Sequence, residues 1–205
     1  MDQGNTLPEE RSEASFPLIP HNFLALPQEQ ASIETSPVVI VPVPYDSTTS
    51  FKSGSREGPE AMIKASYGLE DYDFELGLDV SEIGIHTTGA IEPHMAGPGP
   101  MTERIKGVVG KYLALGKMVG LLGGEHSISI GIIKAFYEKW NNLTVLQLDA
   151  HADLRKTYLG SPYSHACAMH NACLNTNLIQ VGVRSMDIDE KKYADLDKCY
   201  FSQDI

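Results

Sequence analysis

Leu143-Thr144-Val145-Leu146-Gln147-Leu148 runs directly into Asp149-Ala150-His151-Ala152-Asp153. The first six residues are a mostly apolar run of the kind that forms a buried strand in a parallel sheet. The next five set two carboxylates and an imidazole at alternating positions. In extended backbone, residues i, i+2 and i+4 point to one face, so Asp149, His151 and Asp153 can converge on one point. Such a set suits a divalent transition ion of intermediate hardness, such as Mn, Fe, Co or Zn. The alternative is a solvated strand end that happens to be polar. It is the weaker reading, because the ligand residues begin where the apolar run stops.

The flanking segments repeat the same grammar. Pro37 to Val41 is a second apolar run, ended by Pro42 and Pro44, and reads as a buried strand. Arg56 to Ser66 carries Pro59 near its start and then good helix formers, which predicts a helix. Glu82 to Ile85 is a short strand candidate, and the Pro/Gly-rich stretch from Glu92 to Pro100 is a loop. A helix is expected over Met101 to Leu115, closed by Gly116. Lys117 to Leu122 reads as a strand ending at Gly123-Gly124. Ser127 is a plausible N-cap for a helix to about Trp140. Leu178 to Val183 is a further strand, and Tyr200-Phe201 opens another.

Strands alternating with helices of this length imply right-handed βαβ units. The fold class is therefore α/β, with three layers and a mostly parallel β-sheet flanked by helices. Sites in such sheets form beyond the carboxyl ends of strands. Gly123-Gly124-Glu125-His126-Ser127 and Asp149 to Asp153 both fall at such ends. Two glycines would let the chain turn sharply there and approach an ion closely.

Composition excludes several classes. The 205 residues carry a formal net charge of −11, with 42% hydrophobic and 21% charged residues. That is an ordinary globular composition without a basic cluster, so neither nucleic acid nor an anionic membrane surface is an expected partner. No segment approaches about 18 uninterrupted apolar residues, so no transmembrane helix is expected. The N-terminus lacks the basic and apolar regions of a secretory signal. Cys167, Cys173 and Cys199 are odd in number and lack zinc spacing. A reducing, cytoplasmic setting without disulfides follows. Residues 1–35 read as a polar N-terminal extension, partly disordered, with Pro8, Pro17, Pro20 and Pro27 scattered through it. Residues 36–205 form the α/β domain.

GGEHS followed by DAHAD resembles the ureohydrolase family, which includes arginases and agmatinases. Gly54-Ser55-Arg56-Glu57-Gly58-Pro59 and Leu69-Glu70-Asp71-Tyr72-Asp73 are similar to its N-terminal region. Ser164-His165-Ala166-Cys167 resembles the agmatinase form of its active-site loop, and Gln180 to Ser185 its following strand. The resemblance implies an arginase-like fold and two Mn(II) ions. His126, Asp149 and Asp153 would hold one ion, His151 the other, and Asp149 would bridge. Water activated there would attack the guanidinium carbon of a small cationic guanidino substrate, releasing urea and an amine. His165 would shuttle protons to the departing amine, with Glu125 and Ser127 orienting ligands. His21, His86, His94 and His170 are expected to be surface or packing residues.

The substrate implied is agmatine, giving putrescine and urea. Arg155 stands where arginases usually place an asparagine that contacts the amino-acid carboxylate, which favours agmatinase over arginase. Arginine and guanidinobutyrate remain alternatives. The family also carries a later S-x-D-x-D-x-x-D-P segment with two further aspartate ligands. Asp187 and Asp189 imitate its spacing, but Glu190-Lys191-Lys192 follows them, so they are read as decoys. The chain is thus expected to be a C-terminally incomplete ureohydrolase domain carrying four of six ligands. That leaves a second reading, a catalytically incompetent homologue acting as a subunit, and a third, a mononuclear zinc hydrolase. The resemblance further implies a homo-oligomer.

Overall fold

The computed structural model describes residues 18–205. Pro8, Pro17 and the rest of residues 1–17, just under half of the expected N-terminal extension, lie outside the described residues. Residues 18–35 lie against the domain, with helical turns at Phe23–Ala25 and in α1 (Gln28–Ala31). Leu26 is buried, and the Ala31 carbonyl meets His86 Nδ1 at 2.8 Å.

The alternation of strands and helices gives the expected parallel α/β architecture. The remaining elements are β1 (Val38–Val43), α2 (Gly58–Ser66), β2 (Tyr72–Asp73), β3 (Leu78–Asp79), β4 (Ile85–Thr87), α3 (Pro98–Ala114), β5 (Met118–Gly123), α4 (Ile128–Lys139), β6 (Thr144–Leu148), α5 (His170–Asn175), β7 (Asn177–Val183) and β8 (Cys199–Phe201). The parallel strands form two groups, ordered β4-β1-β5 and β6-β7-β8, and β2-β3 is a small antiparallel hairpin. Among the described residues β5 pairs only with β1 and β6 only with β7. Leu146 and Leu148 of β6 are 59% and 74% exposed, so the β6 edge presents apolar side chains to solvent.

Three of the boundaries that differ from expectation have a clear local reason. Strand β1 continues through Pro42 to Val43: proline removes one donor, but its carbonyl still accepts from Ile91 N at 2.9 Å. Residues Val80–Ile83 form a 3-10 turn that ends at Gly84, whose φ of 82° resets the chain before β4 begins at Ile85. Helix α3 starts at Pro98, because proline fits the first turn, where no intrahelical N–H partner is needed.

Helix α4 joins the two strand groups. Its Ile128 and Ala135 belong to the core formed by Val39, Val41 and Val43 of β1 and Ile105 and Val109 of α3. Its Ile130 and Ile133 belong to the second core, with Leu154, Met169, Leu178 and Val183. A helix that is apolar over most of its circumference must be covered on more than one side. Here it is covered by both cores.

The α3–α4 contact depends on a glycine. A Cβ at Gly131 would stand 2.6 Å from the Thr102 carbonyl oxygen and 2.8 Å from Ile105 Cβ. Gly131→Ala should therefore destabilise the domain by about 1–3 kcal/mol through overpacking. Gly110→Ala, where a Cβ meets open space in the interior of α3, should instead stabilise it by about 0.5–1 kcal/mol. Urea unfolding of both variants checks the pair, and equal midpoints would refute the close-packing account.

Candidate metal centre

The end of β5 and the start of α4 place His126. Gly124 is required there, but not for a turn and not for approach to an ion. A Cβ at Gly124 would lie 2.2 Å from the Tyr45 carbonyl oxygen and 2.8 Å from that of Val43, so only glycine lets β5 run this close to β1. Glu125 N then donates to Tyr45 O at 2.8 Å. Ser127 does not cap α4 with its side chain. Its hydroxyl donates to Glu125 Oε1 at 2.5 Å and its backbone N–H to Glu125 Oε2 at 2.8 Å. The buried Glu125 carboxylate thus does the capping, at the positive end of the helix dipole. This fixes the backbone on both sides of His126.

The end of β6 places the other candidates, although not by simple alternation. The strand stops at Leu148, and His151 makes an isolated bridge to Ser185. Asp153 adopts φ 51°, a left-handed conformation that aspartate tolerates better than most residues. Its carboxylate reaches His126: Asp153 Oδ2 lies 2.6 Å from His126 Nδ1, and Asp149 Oδ2 lies 3.5 Å from the same nitrogen. One ligand atom each from His126, Asp149 and Asp153 falls within 4.8 Å of the others. Burial pulls the His126 imidazole down, but the Asp153 carboxylate, with Asp149 and Glu125 adding to it, outweighs burial and holds its pKa above the usual value. A proton and a divalent cation compete for that same position.

His151 is in the same cleft but outside that three-residue group. Its side chain is 64% exposed, and its Nδ1 lies 3.5 Å from Asp149 Oδ1. Asp149 therefore turns one carboxylate oxygen to His126 and the other to His151.

The cleft has a volume of about 560 Å³, and His165 lines it together with the three-residue group. Arg155 and Asp187 also line it, joined by a 2.8 Å ion pair. Neither Asp187 nor Asp189 joins the three-residue group. Asp187 faces Arg155, and Asp189 N donates to Asp187 Oδ1 at 3.0 Å. Three site residues escaped the sequence reading. Buried Glu190 accepts from Leu154 N at 2.7 Å and Asp187 N at 2.6 Å, tying the two loops together. Thr48 and Ser50 contact His165 from the loop after β1. The rule that sites gather at carboxyl ends of strands could have flagged that loop. Cys167, Cys173 and Cys199 form no disulfide, and burial pushes the Cys167 thiol up to about 11, so it is no thiolate nucleophile near neutral pH. No helix among the described residues is long and apolar enough to cross a membrane.

The N(1)-aminopropylagmatine ureohydrolase of Thermus thermophilus is 39% identical over 173 residues, covering 83% of this chain and 59% of that protein. An agmatinase of Halalkalibacterium halodurans is 36% identical over 168 residues, covering 80% of this chain and 58% of its own length. The chain thus spans less than two thirds of the curated relatives it matches. The crystal structure of agmatine ureohydrolase from Thermoplasma volcanium superposes with a TM-score of 0.75 at 28% identity, covering 91% of this chain and 61% of that one. Residues 36–204 match the model of the arginase family, and the chain belongs to that family.

Proposed function

We propose that this chain forms the metal-binding part of a cytoplasmic, homo-oligomeric hydrolase that splits the guanidino group of an agmatine-type amine, releasing urea and, from agmatine, putrescine. One observation carries the reading: His126, Asp149 and Asp153 converge in a cleft that His165 also lines. The aminopropylagmatine ureohydrolase and agmatinase relatives support the substrate class.

Two Mn(II) ions fit the donor set, since carboxylates with imidazoles suit manganese, whereas zinc sites lean toward histidine and cysteine. His126, Asp149 and Asp153 would hold one ion and His151 the other. Asp149 would lie between them, as its two oxygens already face the two imidazoles. Bound there, such ions supply Lewis acidity and a nucleophilic water near neutral pH.

The chain's own residues would do the rest. Acidic groups around the floor attract the guanidinium cation. Arg155 would repel such a substrate if left unpaired, but Asp187 at 2.8 Å offsets its charge. His165 sits where it could hand a proton to the departing amine, a role suited to a titratable imidazole. Its side chain lies apart from the three-residue ligand group, so metal binding and proton transfer should be separable by mutation.

That separation is testable. Asp149→Ala should retain less Mn than His151→Ala, because it serves both positions. His165→Ala should keep its Mn while kcat for urea release falls about 10²–10⁴-fold. Mass-spectrometric metal counts after gel filtration, paired with urea assays, check both, and full Mn retention by Asp149→Ala would sink the assignment. Asp187→Asn should free the Arg155 charge. KM for agmatine should then rise about 2–5-fold, the range expected of a half-exposed pair, while 4-guanidinobutyrate is no worse bound. An unchanged ratio of the two KM values would remove Arg155 from the substrate's surroundings.

A further inference from the structure

The geometry points to the loop from Asp46 to Gly54 as the element that positions His165, with Thr48 and Ser50 as its two positioning residues. This rests on the proposed role of His165 and adds what holds that side chain in place. The loop follows β1 and is closed by one carboxylate. Asp46 is wholly buried at its side chain. Its Oδ2 accepts from Gly54 N at 2.7 Å and from Arg56 N at 3.3 Å, and its Oδ1 accepts from Arg56 Nε at 2.6 Å. Charge-assisted bonds of this kind are about twice as strong as neutral ones. They pin both ends of a loop that would otherwise be held only by its neighbours.

From that pinned loop, hydroxyls reach both nitrogens of the His165 ring. Thr48 Oγ1 accepts the His165 backbone N–H at 2.9 Å and lies 3.3 Å from Nδ1. Ser50 Oγ lies 3.0 Å from Nε2. Ser164 Oγ also lies 3.2 Å from Nδ1, and the Tyr158 ring stands nearly edge-on at 5.7 Å between centroids. Hydroxyls can both donate and accept, so this set can serve the neutral and the protonated ring without rearrangement. A carboxylate in the same place would trap the proton. In the neutral ring, the backbone N–H takes one of the two lone pairs of Thr48, and the positioning proposed here directs the Thr48 O–H to Nδ1. The ring proton then resides on Nε2 and points to Ser50.

The tautomer makes the inference measurable on the chain itself, without turnover. In long-range 1H–15N spectra at alkaline pH, His165 should show a pyrrole-type Nε2 and a pyridine-type Nδ1. Thr48→Val should mix the two tautomers and Thr48→Ser should restore the wild-type pattern, whereas loss of fold alone would not discriminate between them. Ser50→Ala, at an exposed position, should also shift the Nε2 resonance and keeps the test intact if Thr48→Val folds poorly. Where agmatine turnover with Mn is measurable, both variants should lose about tenfold in kcat with little change in KM. Wild-type ring resonances in both variants, or a Thr48→Val defect that serine does not repair, would overturn the positioning. Ring shifts as expected in a protein that releases no urea would support the positioning and overturn the hydrolase reading instead.

Discussion

The packing of α4 between two hydrophobic cores is the constraint on which the site depends. The helix begins directly after His126 and Ser127, at Ile128, and the strand that follows it ends at Leu148, the residue before Asp149. Because Ile128 and Ala135 are locked into one core and Ile130 and Ile133 into the other, the helix cannot rotate or slide without exposing apolar surface. Burying an isoleucine side chain is worth about 1.5–3 kcal/mol. That rigidity carries the β5 end and the β6 end to one cleft, although β5 and β6 do not pair among the described residues. Close backbone contact at Gly124 and the Glu125 cap then set the direction of His126.

Charge is organised around this frame in two different ways. At the floor, Asp149 and Asp153 approach one imidazole and leave carboxylate oxygens turned into the cleft. Around it, acids are neutralised locally: Asp187 by Arg155 and Asp46 by Arg56. The Arg56 guanidinium holds the Asp46 carboxyl below its usual range, against the opposing effect of burial. These two acids are thus paired with cations, whereas Asp149 and Asp153 face only imidazoles.

Much of this was legible in the sequence because the signals were long or concentrated. Strands β1, β5, β6 and β7 were visible as apolar runs, and α2 and α4 as helix-forming segments with recognisable ends. The two ligand motifs stood out because strand ends are where α/β proteins build sites. What escaped had short-range or distant causes. Strand β4 was placed too early, since a 3-10 turn ending at Gly84 precedes it. The alternation argument for Asp149, His151 and Asp153 assumed extended backbone, whereas Asp153 reaches His126 through a left-handed φ and His151 stays exposed. Thr48 and Ser50 lie more than a hundred residues from His165 in the chain, and hydroxyl residues in a polar loop carry no pattern that announces such a contact.

If α4 brings the β5 and β6 ends to a single ion-binding site, one bound ion must lie close to both segments. Mn(II) titration followed by paramagnetic broadening in 1H–15N spectra tests it most directly. The account predicts that substoichiometric Mn first erases the amide signals of Gly124 to Ser127 and Asp149 to Asp153 together, with His165 next, while the β2–β3 hairpin stays sharp. Broadening confined to one of the two segments, or spread across the acidic surface without preference for either, would contradict it.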